Sequence, residues 1–342
     1  MSQDAAPATA PADWISQQLR SILTQRGHAW LLAGPSGLGQ YRLALELVRA
    51  WLCDEPTGEG ACGHCRSCHA IDVRAHADLC VLMPETAMLE LGWPLSEKAQ
   101  SEIDDKKRKP SKEIRVEAVR DAVEFCQRTA GRGRGKAVLV YPAERMNNVT
   151  ANALLKTLEE PPGDVKFVLA SESAQQLLPT IRSRCLGHTM LWPAAQASET
   201  WLQSQGLSPA HASILLNASG GRPEDALQFV ASGRDPVQWS ALPKAMQRGD
   251  VSAFRDWTPM QAIDALHKLC HDLLALEVGA RPRYYEPGSL SGVASRNTGL
   301  AGLTLWAQGL SSASRTMEHP FNTGLMLEAL VSQAKNTLNS GH

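Results

Sequence analysis

The feature that most constrains the fold of this chain is an apolar run that leads through a glycine-rich turn into a helix. Residues 28–33 (HAWLLA) are apolar enough to form a buried strand, and residues 34–39 (GPSGLG) supply the glycines of a tight turn. Apolar side chains then recur at helical spacing between residues 40 and 52. Strand, glycine loop and helix make the opening half of a βαβ unit, so the sequence predicts an α/β fold.

Two further apolar runs, residues 137–141 and 165–170, support the same fold. The first follows an amphipathic helix pattern that starts near residue 114. It precedes a second helix pattern, which the sequence Pro161-Pro162-Gly163 ends. Apolar strands that alternate with helices are typical of a parallel α/β sheet.

The length of the chain predicts more than one domain, because 342 residues exceed a single compact core. Strand signals fade after Trp192-Pro193, and helical patterns follow to the C-terminus. We therefore predict an α/β domain over residues 1–192 and two helical domains over residues 193–236 and 237–342. Residues 84–112 combine mixed charge with little periodicity, so a solvated, flexible insertion is expected there.

Four of the eight cysteines lie in one short segment, about residues 53–68, with the spacing C-x8-C-x2-C-x2-C. They are Cys53, Cys62, Cys65 and Cys68. Short C-x2-C pairs bring two thiolates to one ion, and four thiolates make a closed, structural zinc site that leaves no position for water. The other four cysteines are scattered, as small core residues are. The cluster predicts a structural zinc module.

Other assignments of this cluster stay open. Similar spacing can hold an iron–sulfur cluster, and His64 or His69 can replace one cysteine as a ligand. A redox dithiol is disfavoured because four cysteines are present. A DNA-binding finger is also less favoured, because only Arg66 and Arg74 lie close by.

Charge and hydropathy argue against several protein classes. Lys and Arg number 34 against 35 Asp and Glu, whereas a protein that grips DNA phosphates directly usually has a basic excess. No stretch approaches the roughly 18 apolar residues that span a bilayer. Residues 1–13 also lack the basic and apolar regions of a secretory signal. We expect a cytoplasmic protein with reduced thiols that contacts DNA locally or through partners.

The glycine loop has the pattern of a phosphate loop without its chemistry. A working loop reads G-x-x-x-x-G-K-[ST], because amides cradle the phosphates, Lys neutralises them and the hydroxyl holds magnesium. Gly34, Gly37 and Gly39 keep the pattern, but Gln40 replaces the Lys and Tyr41 replaces the hydroxyl residue. The loop is predicted to be vestigial, with no ATP binding expected. An ordinary glycine turn is the alternative.

The acidic element of an NTPase is missing as well. Its strand usually ends in carboxylates that hold magnesium and orient water. The strand at 137–141 ends instead in Tyr141-Pro142, and the nearest acid, Glu144, lies beyond the strand end. Two separate losses of the same chemistry predict that the chain has no ATPase activity of its own.

Two further motifs carry a resemblance to a known family. Residues 152–162 (NALLKTLEEPP) resemble the signature helix of bacterial clamp-loader AAA+ subunits, and Ser183-Arg184-Cys185 resembles that family's Ser-Arg-Cys motif. The resemblance runs from about residue 28 to 226, and residues 322–330 look like the family's closing collar helix. It implies a RecA-like AAA+ α/β domain with a zinc-binding module, a small helical lid domain and an all-α collar domain.

The resemblance also implies a function. A chain with zinc cysteines, Ser-Arg-Cys and a broken phosphate loop is similar to a non-hydrolysing member of the DNA polymerase III clamp loader, part of a DNA-directed DNA polymerase (nucleotidyltransferase) holoenzyme. Such a member is expected to join the motor subunits (gamma/tau) and the delta subunit through its collar. Through that complex it would help to load the sliding clamp onto primer-template DNA.

Within this resemblance, Arg184 is expected to be an arginine finger that acts in trans. A guanidinium is permanently charged, and its planar donors match phosphate oxygens, so it can stabilise charge on the γ-phosphate of a neighbouring ATP site. An ion pair inside the subunit is the alternative for Arg184. Arg182 is the nearest competitor for the role, because the two would share a face if the chain were extended there.

Two other functions stay open on the sequence. The chain could be an autonomous AAA+ ATPase in which Gln40 replaces the usual Lys. It could also be a zinc-dependent DNA-binding protein, although the near-neutral charge disfavours this.

Overall fold

The computed structural model divides the chain into two units, Met1–Pro193 and Ala194–His342. It describes residues 12–293, 299–315 and 322–339.

A five-stranded parallel sheet with the strand order β2-β3-β4-β1-β5 forms the centre of the first unit. Its strands are β1 (Ala29–Ala33), β2 (Leu79–Leu82), β3 (Lys136–Val140), β4 (Val165–Ser171) and β5 (Leu186–Thr189). The helices of this unit are α1 (Asp13–Leu23), α2 (Gln40–Leu52), α3 (Arg66–Asp72), α4 (Glu85–Glu90), α5 (Glu97–Asp104), α6 (Val116–Gln127), α7 (Asn148–Glu159) and α8 (Pro179–Arg182). The predicted parallel α/β sheet is confirmed.

The sheet is buried on both faces because alternate residues of its central strands pack against different helices. Val138 and Val140 of β3 join a core cluster with Phe167 and Leu169 of β4 and with buried residues of α6 and α7. Helix α2 packs against β3 and β4 as well. The carboxyl ends of β1 and β3 therefore lie along the same edge of the sheet, next to the N-terminus of α2.

The segment 84–112 contains α4 and α5, two helices that the sequence analysis did not predict. Its expected flexibility stays a prediction. The Ser96 side chain accepts a hydrogen bond from the Ala99 amide and caps α5. Both helices are too short to show a periodic pattern in the sequence. Tertiary contacts stabilise them instead.

A buried ion pair fastens the two ends of this insertion together. The Glu85 carboxylate, on a residue only 7% exposed, accepts two hydrogen bonds from the Arg108 guanidinium, with Nη2 to Oε1 at 2.7 Å. It also accepts one from the Ser111 amide at 2.7 Å. Arg108 reaches Glu102 of α5 through Nε at 2.7 Å. Paired and hydrogen-bonded on several sides, Glu85 links α4, α5 and the chain that follows them.

We expect Glu85→Gln to loosen the insertion at neutral pH. Hydrogen bonds from Arg108 lower the pKa of Glu85 below its ordinary value of 4.5, against the opposing effect of burial. A carboxyl whose folded pKa is lowered contributes stability above its unfolded pKa and loses it as the pH falls through the folded value. Acid should therefore reproduce the effect of the substitution.

Trypsin cleavage followed by mass spectrometry measures this opening at the exposed lysines of the insertion. In Glu85→Gln, cleavage after Lys106 and Lys107 should rise severalfold over the wild type. The matched control is Glu90→Gln, on the exposed side of the same helix. Equal cleavage of both variants would show that Glu85 does not hold the segment.

The second unit is helical throughout its described residues, as predicted. Its helices are α9 (Ala195–Ser204), α10 (Pro209–Ala218), α11 (Pro223–Ala231), α12 (Pro236–Arg248), α13 (Pro259–Glu277), α14 (Pro287–Leu290), α15 (Gly299–Arg315) and α16 (Thr323–Asn339). Phe229 packs edge-on against Trp239 at 5.4 Å, so residues assigned to the predicted lid and collar share one core. The boundary between lid and collar stays a prediction.

A buried carboxylate organises the chain between α13 and α14. Asp272 is fully buried and accepts hydrogen bonds from the amides of Arg283, Tyr284 and Tyr285 at 2.7–2.9 Å. These bonds satisfy three backbone donors at once.

Among the described residues, no helix has the length and apolar character needed to cross a bilayer.

Candidate functional site

The four clustered cysteines converge on one point between α2 and α3. Their sulfur atoms all lie within 4.8 Å of one another. Cys53 Sγ is 3.8 Å from Cys65 Sγ and 3.7 Å from Cys68 Sγ. Sulfur ligands about 2.3 Å from a zinc ion at the corners of a tetrahedron are about 3.8 Å apart. The donor set and spacing therefore fit a four-coordinate metal ion.

The local chain brings these sulfurs together through a tight turn and two amide–sulfur bonds. Thr57 and Gly60 pair their backbones, and Gly60 adopts φ +129°, which favours glycine. The turn returns the chain so that the Cys62 amide donates to Cys53 Sγ at 3.3 Å. The Cys68 amide donates to Cys65 Sγ at 3.4 Å, where Cys65 caps α3. Such bonds favour the thiolate form that binds metal.

The thiols differ in how readily they ionise. Burial opposes ionisation of Cys65, but amide hydrogen bonds from Cys68 and Asp54 and nearby thiols lower its pKa to about 7. Burial raises the pKa of Cys68, the most enclosed of the group together with Cys53. A second candidate set, Glu55, Cys62 and His64, shares Cys62 and has two exposed members. The four-cysteine set is the better enclosed of the two.

The glycine loop has the sequence pattern of a phosphate loop, but the side chain at its lysine position turns inward. Gln40 is only 2% exposed, and its Nε2 donates to the carbonyl oxygens of Gly34 at 2.7 Å and Pro35 at 2.6 Å. Gly37 and Gly39 have φ values of +76° and +93°. The side chain at the lysine position thus binds its own loop and does not extend toward a ligand.

Gly34 also has a packing role that is independent of any phosphate. A Cβ atom at this position would lie 2.7 Å from Cβ of Met190, well inside van der Waals contact. The Met190 amide donates to the carbonyl of Ala33 at the end of β1. The close approach of these two segments therefore requires glycine at position 34.

Tyr41 and Tyr141, the two residues that the sequence analysis placed at the positions of the missing magnesium ligands, lie in contact. Tyr41 and Tyr141 pack with ring centroids 5.2 Å apart and a 31° angle between the planes. The Tyr41 hydroxyl accepts a hydrogen bond from Trp93 Nε1 at 2.7 Å, and the Tyr141 hydroxyl donates to Glu172 Oε1 at 2.8 Å. Burial raises the pKa of Tyr41, opposed by the bond from Trp93 and by the charge of Arg74. The Tyr41 hydroxyl thus stays protonated at neutral pH.

Arg184 lies just beyond α8 and forms an ion pair within the chain. Its Nε and Nη2 atoms lie 3.0 and 2.9 Å from Glu159 Oε2, and its Nη1 donates to the Thr180 carbonyl at 3.1 Å. The side chains of Arg184 and Glu159 are 31% and 55% exposed. Arg182 ends α8 in helical backbone, so the two arginines are not on one extended face. The role of Arg184 in trans stays a prediction.

Comparison with known proteins assigns the chain to a family. The family model described as "DNA polymerase III, delta subunit" matches residues 13–190. The DNA polymerase III subunit delta' of Escherichia coli is 32% identical over 276 residues, which cover 75% of this chain and 76% of that protein. The chain belongs to the delta-prime family of DNA polymerase III subunits. The delta' subunit of Pseudomonas aeruginosa is 41% identical over 211 residues, or 61% of this chain.

The match to the Pseudomonas delta-prime subunit spans 57% of that protein's length. Among solved structures, a DNA polymerase III gamma subunit-related protein of Thermotoga maritima aligns with a TM-score of 0.50 and 17% identity. That alignment covers 95% of this chain and 99% of the Thermotoga chain. It supports a fold shared between the delta-prime chain and the gamma-related protein.

Two residues at the site of this delta-prime chain were not predicted from the sequence. Trp93 and Glu172 bond the two tyrosines from 52 and 31 residues away. A tryptophan in an otherwise polar segment was the one available signal for Trp93, because such a large ring is seldom left in solvent. The sequence contained no comparable signal for Glu172.

Proposed function

We propose that this chain is a non-hydrolysing subunit of the DNA polymerase III clamp loader, which helps to load the sliding clamp onto primed DNA. The observation that carries the proposal is the state of the glycine loop in a member of the delta-prime family. Gln40 binds the loop's own carbonyls, and tyrosines replace the magnesium ligands. A loop of this kind provides neither the cation nor the metal site that phosphoryl transfer needs, so no intrinsic ATPase activity is expected.

The proposed organisation follows the family resemblance. Residues 1–192 form the AAA+ domain with its zinc module, residues 193–236 form the lid and residues 237–342 form the collar. The collar joins the gamma/tau motor subunits and the delta subunit. Contacts with the sliding clamp and with primer-template DNA are made through the assembled complex.

Arg184 completes the ATP site of a neighbouring motor subunit in this proposal. Its partial exposure and its surface ion pair with Glu159 support the role. Exposed ion pairs contribute about 0–1 kcal/mol, so exchange of Glu159 for a phosphate oxygen costs little.

The cysteine cluster holds one zinc ion in this proposal, with all four ligand positions taken by Cys53, Cys62, Cys65 and Cys68. A closed thiolate site stabilises a fold and leaves no position for a reacting water. The zinc therefore has a structural role between α2 and α3. An iron–sulfur cluster is the alternative that metal analysis separates.

Assembly tests the proposed function directly. The purified chain, mixed with gamma/tau and delta subunits, should form one complex whose mass exceeds that of the mixture without it by 37.0 kDa or a multiple of this. Mass photometry or native mass spectrometry measures the difference. Arg184→Ala should assemble equally well, because the finger lies outside the collar. A chain that stays separate from both partners contradicts the proposal.

A further inference from the structure

A line of side-chain contacts runs from the cysteine module through the insertion to the glycine loop. Arg74, just beyond α3, places its guanidinium carbon 4.6 Å from the ring centroid of Trp93. Trp93, only 6% exposed, donates from Nε1 to the Tyr41 hydroxyl at 2.7 Å. Tyr41 packs on Tyr141, whose hydroxyl is fixed by Glu172. Three separate parts of the sequence thus meet at the start of α2.

This contact line crosses the place that a nucleotide's metal ion would need. In a phosphate-loop NTPase, magnesium lies between the hydroxyl residue that follows the loop lysine and the carboxylate at the end of the neighbouring strand. Tyr41 and Tyr141 hold these two positions. Ring centroids 5.2 Å apart are in direct contact, so the rings themselves fill the space between the two positions.

We propose that the insertion 84–112 acts as an internal stopper of the vestigial nucleotide site. Trp93 holds Tyr41 against Tyr141, and the Glu85–Arg108 ion pair fixes the segment that carries Trp93. Nucleotide is then excluded by occupied space as well as by the missing lysine. This inference rests on the proposed loss of ATPase function, and it adds the physical means by which the site is kept closed.

The two causes of nucleotide exclusion, the missing lysine and the filled space, can be separated by removing one after the other. MgATP is titrated into the purified full chain by calorimetry for the wild type, for Gln40→Lys and for Gln40→Lys/Tyr41→Ala/Tyr141→Ala, in which alanine removes the rings without adding a magnesium ligand. Gln40→Lys returns the cation and keeps the stopper, so it should bind no better than the wild type. The triple variant also removes both rings, and it should bind MgATP about tenfold or more tighter than Gln40→Lys.

A folded triple variant that binds no better than Gln40→Lys would overturn the proposal. So would a Gln40→Lys variant that binds as tightly as the triple, because charge alone would then decide. If the triple variant does not fold, Gln40→Lys/Trp93→Ala replaces it, since this variant frees Tyr41 and keeps both tyrosines. It should also bind tighter than Gln40→Lys, and equal binding would count against the stopper.

A second measurement tests whether the hydrogen bond from Trp93 to Tyr41 holds the insertion in place. Tyr41→Phe removes the acceptor for Trp93, and tryptic cleavage after Lys98 and Lys106 should rise. The control is Tyr141→Phe, which loses the bond to Glu172 and leaves the insertion contact intact. Equal cleavage in the two variants would show that the bond from Trp93 to Tyr41 does not hold the insertion. Hydrolysis of ATP by the wild-type chain alone would instead remove the proposed function, so the two failures are distinguishable.

Discussion

Arg184→Ala should slow ATP hydrolysis about a thousandfold at the ATP site that Arg184 is proposed to complete, without changing assembly of the complex. A finger that stabilises charge on the transferring γ-phosphate contributes about 10³-fold or more to the rate. Alanine removes every donor from this position. The measurement is DNA-stimulated ATP hydrolysis by the reconstituted clamp loader. The steady-state rate should fall by the fraction of total hydrolysis that this ATP site contributes. Single-turnover kinetics should show one slow site.

Two controls separate the finger from general effects of charge. Arg182→Ala removes an arginine two residues earlier, which ends α8 and is exposed. It should leave hydrolysis close to the wild-type rate. Arg184→Lys keeps the charge without the planar fork, so it should recover only part of the rate. If Arg184→Ala hydrolyses ATP as fast as the wild type, the proposed role of Arg184 is lost.

Cys62→Ser should lower the melting temperature of the first unit by about 10 °C, because loss of a structural zinc ligand removes several kcal/mol of folding free energy. Cys62 is chosen because it is half-buried, whereas Cys53 and Cys68 are enclosed in the core. Replacing either of those two would add packing damage. Scanning calorimetry gives the melting temperature, and elemental analysis gives the metal content.

The matched control is Cys185→Ser, which replaces another half-buried thiol outside the cluster. It should keep the metal and most of the melting temperature. The wild type should contain about one zinc per chain. Iron with visible absorption would assign the cluster to an iron–sulfur centre, and a metal-free wild type as stable as the chelator-treated protein would refute a structural metal.

Much of the sheet could be predicted from the sequence because its central strands are continuous apolar runs. Strands β1, β3 and β4 were found in this way. Strands β2 and β5 were missed because each has only four residues, and β5 is largely exposed at the sheet edge. Short edge strands provide too few residues for a pattern, and pairing decides their structure, with β3 for β2 and with β1 for β5.

The candidate site likewise has parts that nearby residues predict and parts that depend on contacts between distant residues. The cysteine cluster was predictable because its ligands lie within 16 residues and their spacing reflects metal geometry. The two helices of the insertion were not predicted, because the bond from Arg108 to Glu85 that helps to hold them spans 23 residues. Trp93 meets Tyr41 across 52 residues. Contacts of this range depend on the folded chain, and no local pattern records them.

The close approach of Met190 to position 34 explains why a glycine signature can outlast the ligand for which it is named. An added methyl group there would strike the chain leaving β5 whether or not ATP were ever present. Selection on packing alone is then enough to preserve this glycine. A genome survey that identifies nucleotide-binding proteins by these glycines alone will therefore include proteins that no longer bind nucleotide. The residue that follows the last glycine is the better indicator of binding.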